Sequence, residues 1–162
     1  MSDSNNDEVE RVILMPVDRS EHTERAIDWY VENLMKPNDL VQMIHIVEPM
    51  YTSTAVGIGM EVAFLPVEDL ESKIKKQLDK GKSLVKKFTH ELQEKGGRAK
   101  GYVIVDSKVG EAIIKVCHTH KVDLIIVANR GEGLIRRTFL GSVSDYVLHH
   151  ADRPVVIIPP KH

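Results

Sequence analysis

A chain of 162 residues with 42% apolar content is long enough to bury a core unaided, and its single cysteine, Cys117, rules out an intramolecular disulfide. A net charge of -2 and a pI near 6.4 provide no positive field to hold nucleic acid or an anionic membrane. No apolar run approaches the roughly 20 residues that cross a bilayer, and the polar, acidic stretch from Met1 to Glu10 lacks a secretory n-region, so a cytoplasmic location with a reduced thiol is expected.

Residues 1–10 read as a flexible N-terminal tail and 11–160 as a single domain. Val12-Ile13-Leu14-Met15-Pro16-Val17 is a continuous apolar run, the mark of a strand covered on both faces, and it ends at Asp18. Ser20 and Thr23 offer caps to a helix whose Ala26, Ile27, Tyr30, Val31 and Leu34 recur at three- and four-residue intervals. Asn38-Asp39 then form a turn, and Leu40 to Val47 reads as a second strand closed by Glu48-Pro49. The stretch 50–66 has no clean period and is read as a long loop.

Val67, Leu70, Ile74, Leu78, Gly81, Val85, Phe88 and Leu92 trace one stripe of a long helix that Gly96-Gly97 terminate. A coiled coil would want more heptads, so the stripe is assigned to covering a sheet. Lys100 to Val105 gives a third strand, Gly110 to Val122 a third helix and Leu124 to Ala128 a fourth strand. Ser142 to His150 is a fourth helix, and Val155-Val156-Ile157-Ile158, bracketed by Pro154 and Pro159, is a fifth strand. The alternation predicts an α/β fold: an open five-stranded parallel sheet with helices on both faces, Rossmann-like, in the order 3-2-1-4-5.

In such a sheet ligands bind at the carboxyl ends of the strands where strand order reverses. That places Asp18 opposite the loop that follows Ala128, with Arg130 and Gly131 in it and Gly141-Ser142-Val143-Ser144 opening the next helix. Unpaired amides and the positive dipole end of that helix favour an anion, and Asp18 is placed to accept hydrogen bonds from ribose hydroxyls. The base would lie against Pro16, Val17 and Ile46. Arg130, and with less reason Arg136 and Arg137, can neutralise phosphate, although solvated surface charge explains them equally. Asp18 also has a purely structural role open to it, capping the helix through an Asx turn.

Rival signatures fail: there is no G-x-x-x-x-G-K-[ST], and the Gly131-Glu132-Gly133 pair follows the fourth strand and lacks its third glycine. His118 with His120, and His149 with His150, lack the i, i+4 spacing of a helical metal site. His45 is read as a core hydrogen-bonding residue and Cys117 as a small buried hydrophobe.

Ile13-Leu14-Met15-Pro16-Val17-Asp18-Arg19-Ser20, His45-Ile46-Val47, Val122 to Val127 and Gly141-Ser142-Val143-Ser144-Asp145-Tyr146-Val147 together resemble the universal stress protein family, across nearly the whole chain. Its nucleotide-binding members carry G-x-x-G, nine residues, then G-[ST]; here Gly131 and Gly141-Ser142 match, while Ala128 replaces the first glycine. The resemblance implies an adenine nucleotide alpha hydrolase-like fold that binds ATP or AMP, with Mg. Pro16, Val17, Asp18 and Ile46 would hold adenine and ribose; Val127, Ala128, Arg130, Gly131, Gly141, Ser142, Val143 and Ser144 would hold ribose and phosphates. It also implies a homodimer built on Val155, Val156, Ile157 and Ile158. The expected role is a nucleotide-linked stress sensor or regulator rather than primarily an enzyme. Two alternatives stay open: a slow ATP hydrolase or a protein self-phosphorylating on Ser142, Ser144 or Thr138, and a dimeric scaffold without nucleotide.

Overall fold

The computed structural model describes residues 9–49, 67–129 and 140–160. The loop read at 50–66, most of the expected N-terminal tail, and Arg130, Gly131, Arg136, Arg137 and Thr138 lie outside these. Strands and helices alternate throughout: β1 (Arg11–Pro16), α1 (Glu21–Asn33), β2 (Asp39–Val47), α2 (Val67–Glu94), β3 (Ala99–Val105), α3 (Val109–Thr119), β4 (Leu124–Ala128), α4 (Ser142–His150) and β5 (Val155–Ile158). The five described strands form one wholly parallel sheet in the order β3-β2-β1-β4-β5, as expected.

The central strand shows why its sequence is apolar without alternation. Ile13 and Met15 pack on one face against Ile27, Tyr30 and Phe88 of α1 and α2. Leu14 points to the other face, among Ile113 and Cys117 of α3 and Val147 of α4. A side-chain period of two thus delivers successive residues to two separate cores. Burial pushes the Cys117 thiol up, which keeps it protonated and inert.

The stripe of α2 behaves as expected only in its C-terminal half. Val85, Phe88 and Leu92 are buried, and Gly81 lets the helix approach His45 and Val103, where a Cβ would come within 3.0 Å of the imidazole. Leu70 and Ile74 are exposed instead. The helix closes in a Schellman motif: Gly96 sits at φ 86°, its N–H donates to Gln93, and Gly97 N–H donates to Leu92.

Helix α3 stops three residues before the expected boundary. Lys121 adopts φ 51° while its N–H donates to His118 and Val122 N–H donates to Cys117, a Schellman-type ending. A lysine in the left-handed region provides no sequence signal of this stop.

At the amino end of the sheet, the buried Asp39 carboxylate accepts Arg11 Nε and Nη2 at 2.8 and 2.6 Å, Tyr30 Oη at 2.8 Å and the Lys36 amide at 2.9 Å. Burial alone would raise its pKa, but these four donors outweigh it and the net displacement is downward. The Tyr30 hydroxyl is driven far up, first by burial and then by the carboxylate it donates to. Asp39, expected only as a turn residue, is therefore a buried structural anchor tying β1, α1 and β2 together.

Candidate functional site

At the opposite, carboxyl end of the sheet a cleft of about 920 Å³ opens where strand order reverses between β1 and β4. It gathers ten residues singled out from the sequence: Pro16, Val17, Asp18, Ile46, Val127, Ala128, Gly141, Ser142, Val143 and Ser144. They come from four separate segments brought together because each parallel strand delivers its carboxyl end to the same edge of the sheet. Arg130 and Gly131 lie outside the described residues.

The turn after β1 is held by Asp18 itself. Its Oδ1 accepts the Ser20 N–H at 2.9 Å and the Ser20 hydroxyl, and the Thr23 hydroxyl lies 3.1 Å away. Thr23 Oγ1 in return accepts the Asp18 N–H at 3.0 Å. The Asx turn open to Asp18 from sequence is thus formed, and the carboxylate lines the cleft as well. Ser20, at the N-cap of α1, makes no side-chain capping hydrogen bond.

His45, also on the cleft wall, has Nδ1 2.9 Å from the Val17 carbonyl oxygen. A carbonyl only accepts, so Nδ1 carries the proton. The expected internal hydrogen bond of this histidine is present, but its position facing the cleft was not foreseen; a polar residue at the carboxyl end of a buried parallel strand was the signal. Thr23, Ile44, Glu48, Val109 and Leu140 complete the lining and were likewise not singled out. Asp18 and Glu48 are the carboxylates of the wall.

Gly141, the N-cap residue of α4, has no side chain with which to cap the helix. Helical geometry leaves the first amides of this helix without intrahelical acceptors, at the point where Ser142, Val143 and Ser144 line the cleft. Gly141, at its N-cap, has φ -64° and ψ 156°, a conformation open to any residue. Among the described residues a Cβ built there would meet only Asn129 Oδ1, at 3.9 Å. None of the described residues therefore requires glycine at 141, a position that lines the cleft.

Ala128 raises no conflict with its backbone. It is the last residue of β4, paired with Ile158, and Lys121 is the one non-glycine residue with positive φ among those described. Among the described residues no cluster of His, Cys, Asp or Glu has the arrangement of a metal site, and no helix is long and apolar enough to cross a membrane.

A doubly wound parallel sheet with its cleft at the switch point defines a Rossmann-like α/β protein. The universal stress protein family model matches residues 10–159, and the chain belongs to that family. Among its relatives, universal stress protein MJ0577 of Methanocaldococcus jannaschii is 24% identical over 155 residues, covering 93% of this chain and 95% of that protein. Universal stress protein PHOS32 of Arabidopsis thaliana is 27% identical; the match covers 91% of this chain but only 64% of that longer protein.

The solved structure of MJ0577 superposes with a TM-score of 0.71 at 24% identity, covering 95% of this chain and 99% of that one. The universal stress protein of Archaeoglobus fulgidus in complex with dAMP matches with a TM-score of 0.63 at 18% identity, over 92% of this chain and 98% of that one. A family member from Arabidopsis thaliana with AMP bound matches with a TM-score of 0.64 at 17% identity, over 93% and 92%.

Proposed function

We propose that this protein binds an adenine nucleotide, ATP or AMP, in the cleft between the ends of β1 and β4, and works as a nucleotide-linked stress sensor or regulator in the cytoplasm. The observation that carries the reading is Gly141, a glycine that neither its backbone conformation nor its neighbours among the described residues demand, at the N-terminus of a helix facing the cleft. A ligand approaching closely there supplies the missing reason, and a phosphate suits the positive end of α4. The dAMP and AMP complexes of the fold relatives support an adenine nucleotide as the occupant.

In this reading the apolar wall of Pro16, Val17 and Ile46 takes the base, Asp18 accepts from ribose hydroxyls, and the α4 amides with the hydroxyls of Ser142 and Ser144 donate to phosphate. Val127 and Ala128 floor the ribose and phosphate end, where Arg130 and Gly131 follow in the chain. Mg would come in on the phosphates of a triphosphate, and Asp18 and Glu48 are the carboxylates among the described lining residues.

The decisive experiment denatures the purified protein and identifies any released nucleotide by ion-pair chromatography and mass spectrometry. ATP or AMP is expected at a substantial fraction of the protein; none released, together with no thermal shift in millimolar ATP or AMP, would remove the reading.

The reading extends to a homodimer. Among the described residues β5 pairs only with β4 and forms one edge of the sheet, and Val155, Val156 and Ile157 are only half-buried. An isologous meeting of two such edges would satisfy the backbone and cover these side chains.

A further inference from the structure

Asn129 was not among the residues the sequence singled out, yet it joins three segments around the cleft. It is buried, at 8% exposure, directly after the last residue of β4. Its N–H donates to the Ile158 carbonyl at 2.8 Å, which extends the β4–β5 ladder by one rung. Its carbonyl oxygen accepts Arg25 Nη2 from α1 at 3.0 Å. Its side-chain Oδ1 accepts the Gly141 N–H at 3.2 Å, reaching 12 residues along the chain to the N-cap of α4. The last bond also fixes the amide's orientation, since an N–H donor requires oxygen on the facing side.

We propose that Asn129 is the positioning residue of the phosphate end of the site: its side chain sets the N-terminus of α4 against the end of β4, and Arg25 braces it from α1. The inference rests on the nucleotide reading above. Gly141 has no side chain of its own to cap α4, and the bond from its N–H to Asn129 Oδ1 is, among the described residues, a side-chain contact that ties the start of the helix to the end of β4. A phosphate gains from helix amides only when they are aimed at it before it arrives, since ordering them afterwards costs affinity.

Arg25 is built for bracing. Its Nη1 lies 2.7 Å from His22 Nδ1, which must accept because a guanidinium only donates, and its Nε is enclosed without a partner among the described residues. A half-buried cation held this way, with one arm on the Asn129 carbonyl, ties α1 to the strand end. Arg25 and Asn129 thus act on the ligand through Gly141.

The test compares wild type, Asn129→Ala and Asn129→Asp by amide hydrogen exchange at Gly141 and by calorimetric titration with AMP and with adenosine. Asn129→Ala removes the acceptor, so Gly141 exchange should accelerate about tenfold, while Asn129→Asp keeps an oxygen there and should leave exchange slow. AMP affinity of Asn129→Ala should fall about tenfold, the worth of a lost charge-assisted contact geometry. Adenosine, which has no phosphate, should bind within twofold of wild type. A purely structural loss would weaken both ligands alike. Equal weakening, unchanged AMP affinity, or Gly141 exchange that ignores the Ala change or accelerates in Asn129→Asp would each overturn the assignment. If wild type binds neither ligand, the nucleotide reading itself falls, and the positioning role falls with it.

Discussion

Gly141→Ala separates what the fold needs from what the ligand needs. The backbone at 141, φ -64° and ψ 156°, accepts alanine, and among the described residues the added methyl meets only Asn129 Oδ1 at 3.9 Å. Replacing glycine where the conformation is compatible gains about 0.4–1 kcal/mol from the unfolded chain, while alanine is the poorer N-cap by a similar amount. The ligand-free variant should therefore melt within about 4 °C of wild type. For the bound protein the methyl stands where a phosphate would approach, and losing one charge-assisted contact of about 2 kcal/mol weakens binding roughly 30-fold. At a ligand concentration 100 times the wild-type Kd, stabilisation would fall from about 2.7 to about 0.9 kcal/mol, so differential scanning fluorimetry should show the thermal shift shrinking to about a third. A folded Gly141→Ala protein that keeps the full shift would show that phosphate does not approach this residue, and the reasoning from the empty Cβ position would be wrong.

Ala128→Gly should leave AMP affinity unchanged or improved in calorimetry, because the strand backbone at 128 is already relaxed; a marked weakening would show that the methyl itself contacts the ligand. Val156→Pro should convert a dimer into a monomer in sedimentation equilibrium, whereas a monomeric wild type at tens of micromolar would remove β5 as an interface. Asp39 has a depressed pKa in the folded state, so its contribution is complete above the ordinary carboxylate value near 3.9 and disappears as pH falls through the lower folded value. Asp39→Asn should accordingly lose about 3 kcal/mol in urea unfolding at pH 7 and flatten the acid limb below about pH 4; an acid limb as steep as wild type would refute the assignment. Gly101→Ala should destabilise by about 1–3 kcal/mol, since its Cβ would stand 2.0 Å from Val85 Cγ1, and the loss should appear in the urea midpoint without altering AMP affinity.

The sequence by itself determined the alternation of elements, the parallel sheet and the end of it that carries the cleft. A strand covered on both faces must be apolar at every position, as Ile13-Leu14-Met15 is, and parallel connections require crossover helices. Gly96 marked the end of α2 because a left-handed cap selects glycine. The same logic concealed the end of α3, where Lys121 occupies that conformation without being the residue the conformation favours. Residues at the strand ends and at the start of α4 were legible because handedness and twist place them together whatever their side chains.

Only the tertiary structure decided which polar residues are anchors and which face the cleft. Asp39 and Asp18 are both acids beside a turn. One is buried under Arg11 and Tyr30 at the amino end of the sheet, and the other holds a turn on the cleft wall. His45 and Asn129 likewise acquire their roles from partners 28 and 12 residues away, Val17 and Gly141. Periodicity carries local information, one face or one strand at a time, whereas a hydrogen bond across the fold depends on the positions of two elements that no single window contains. Glycine at 141 could be read as a phosphate residue from its motif, but that the described residues leave room for a side chain there was visible only once they were in place.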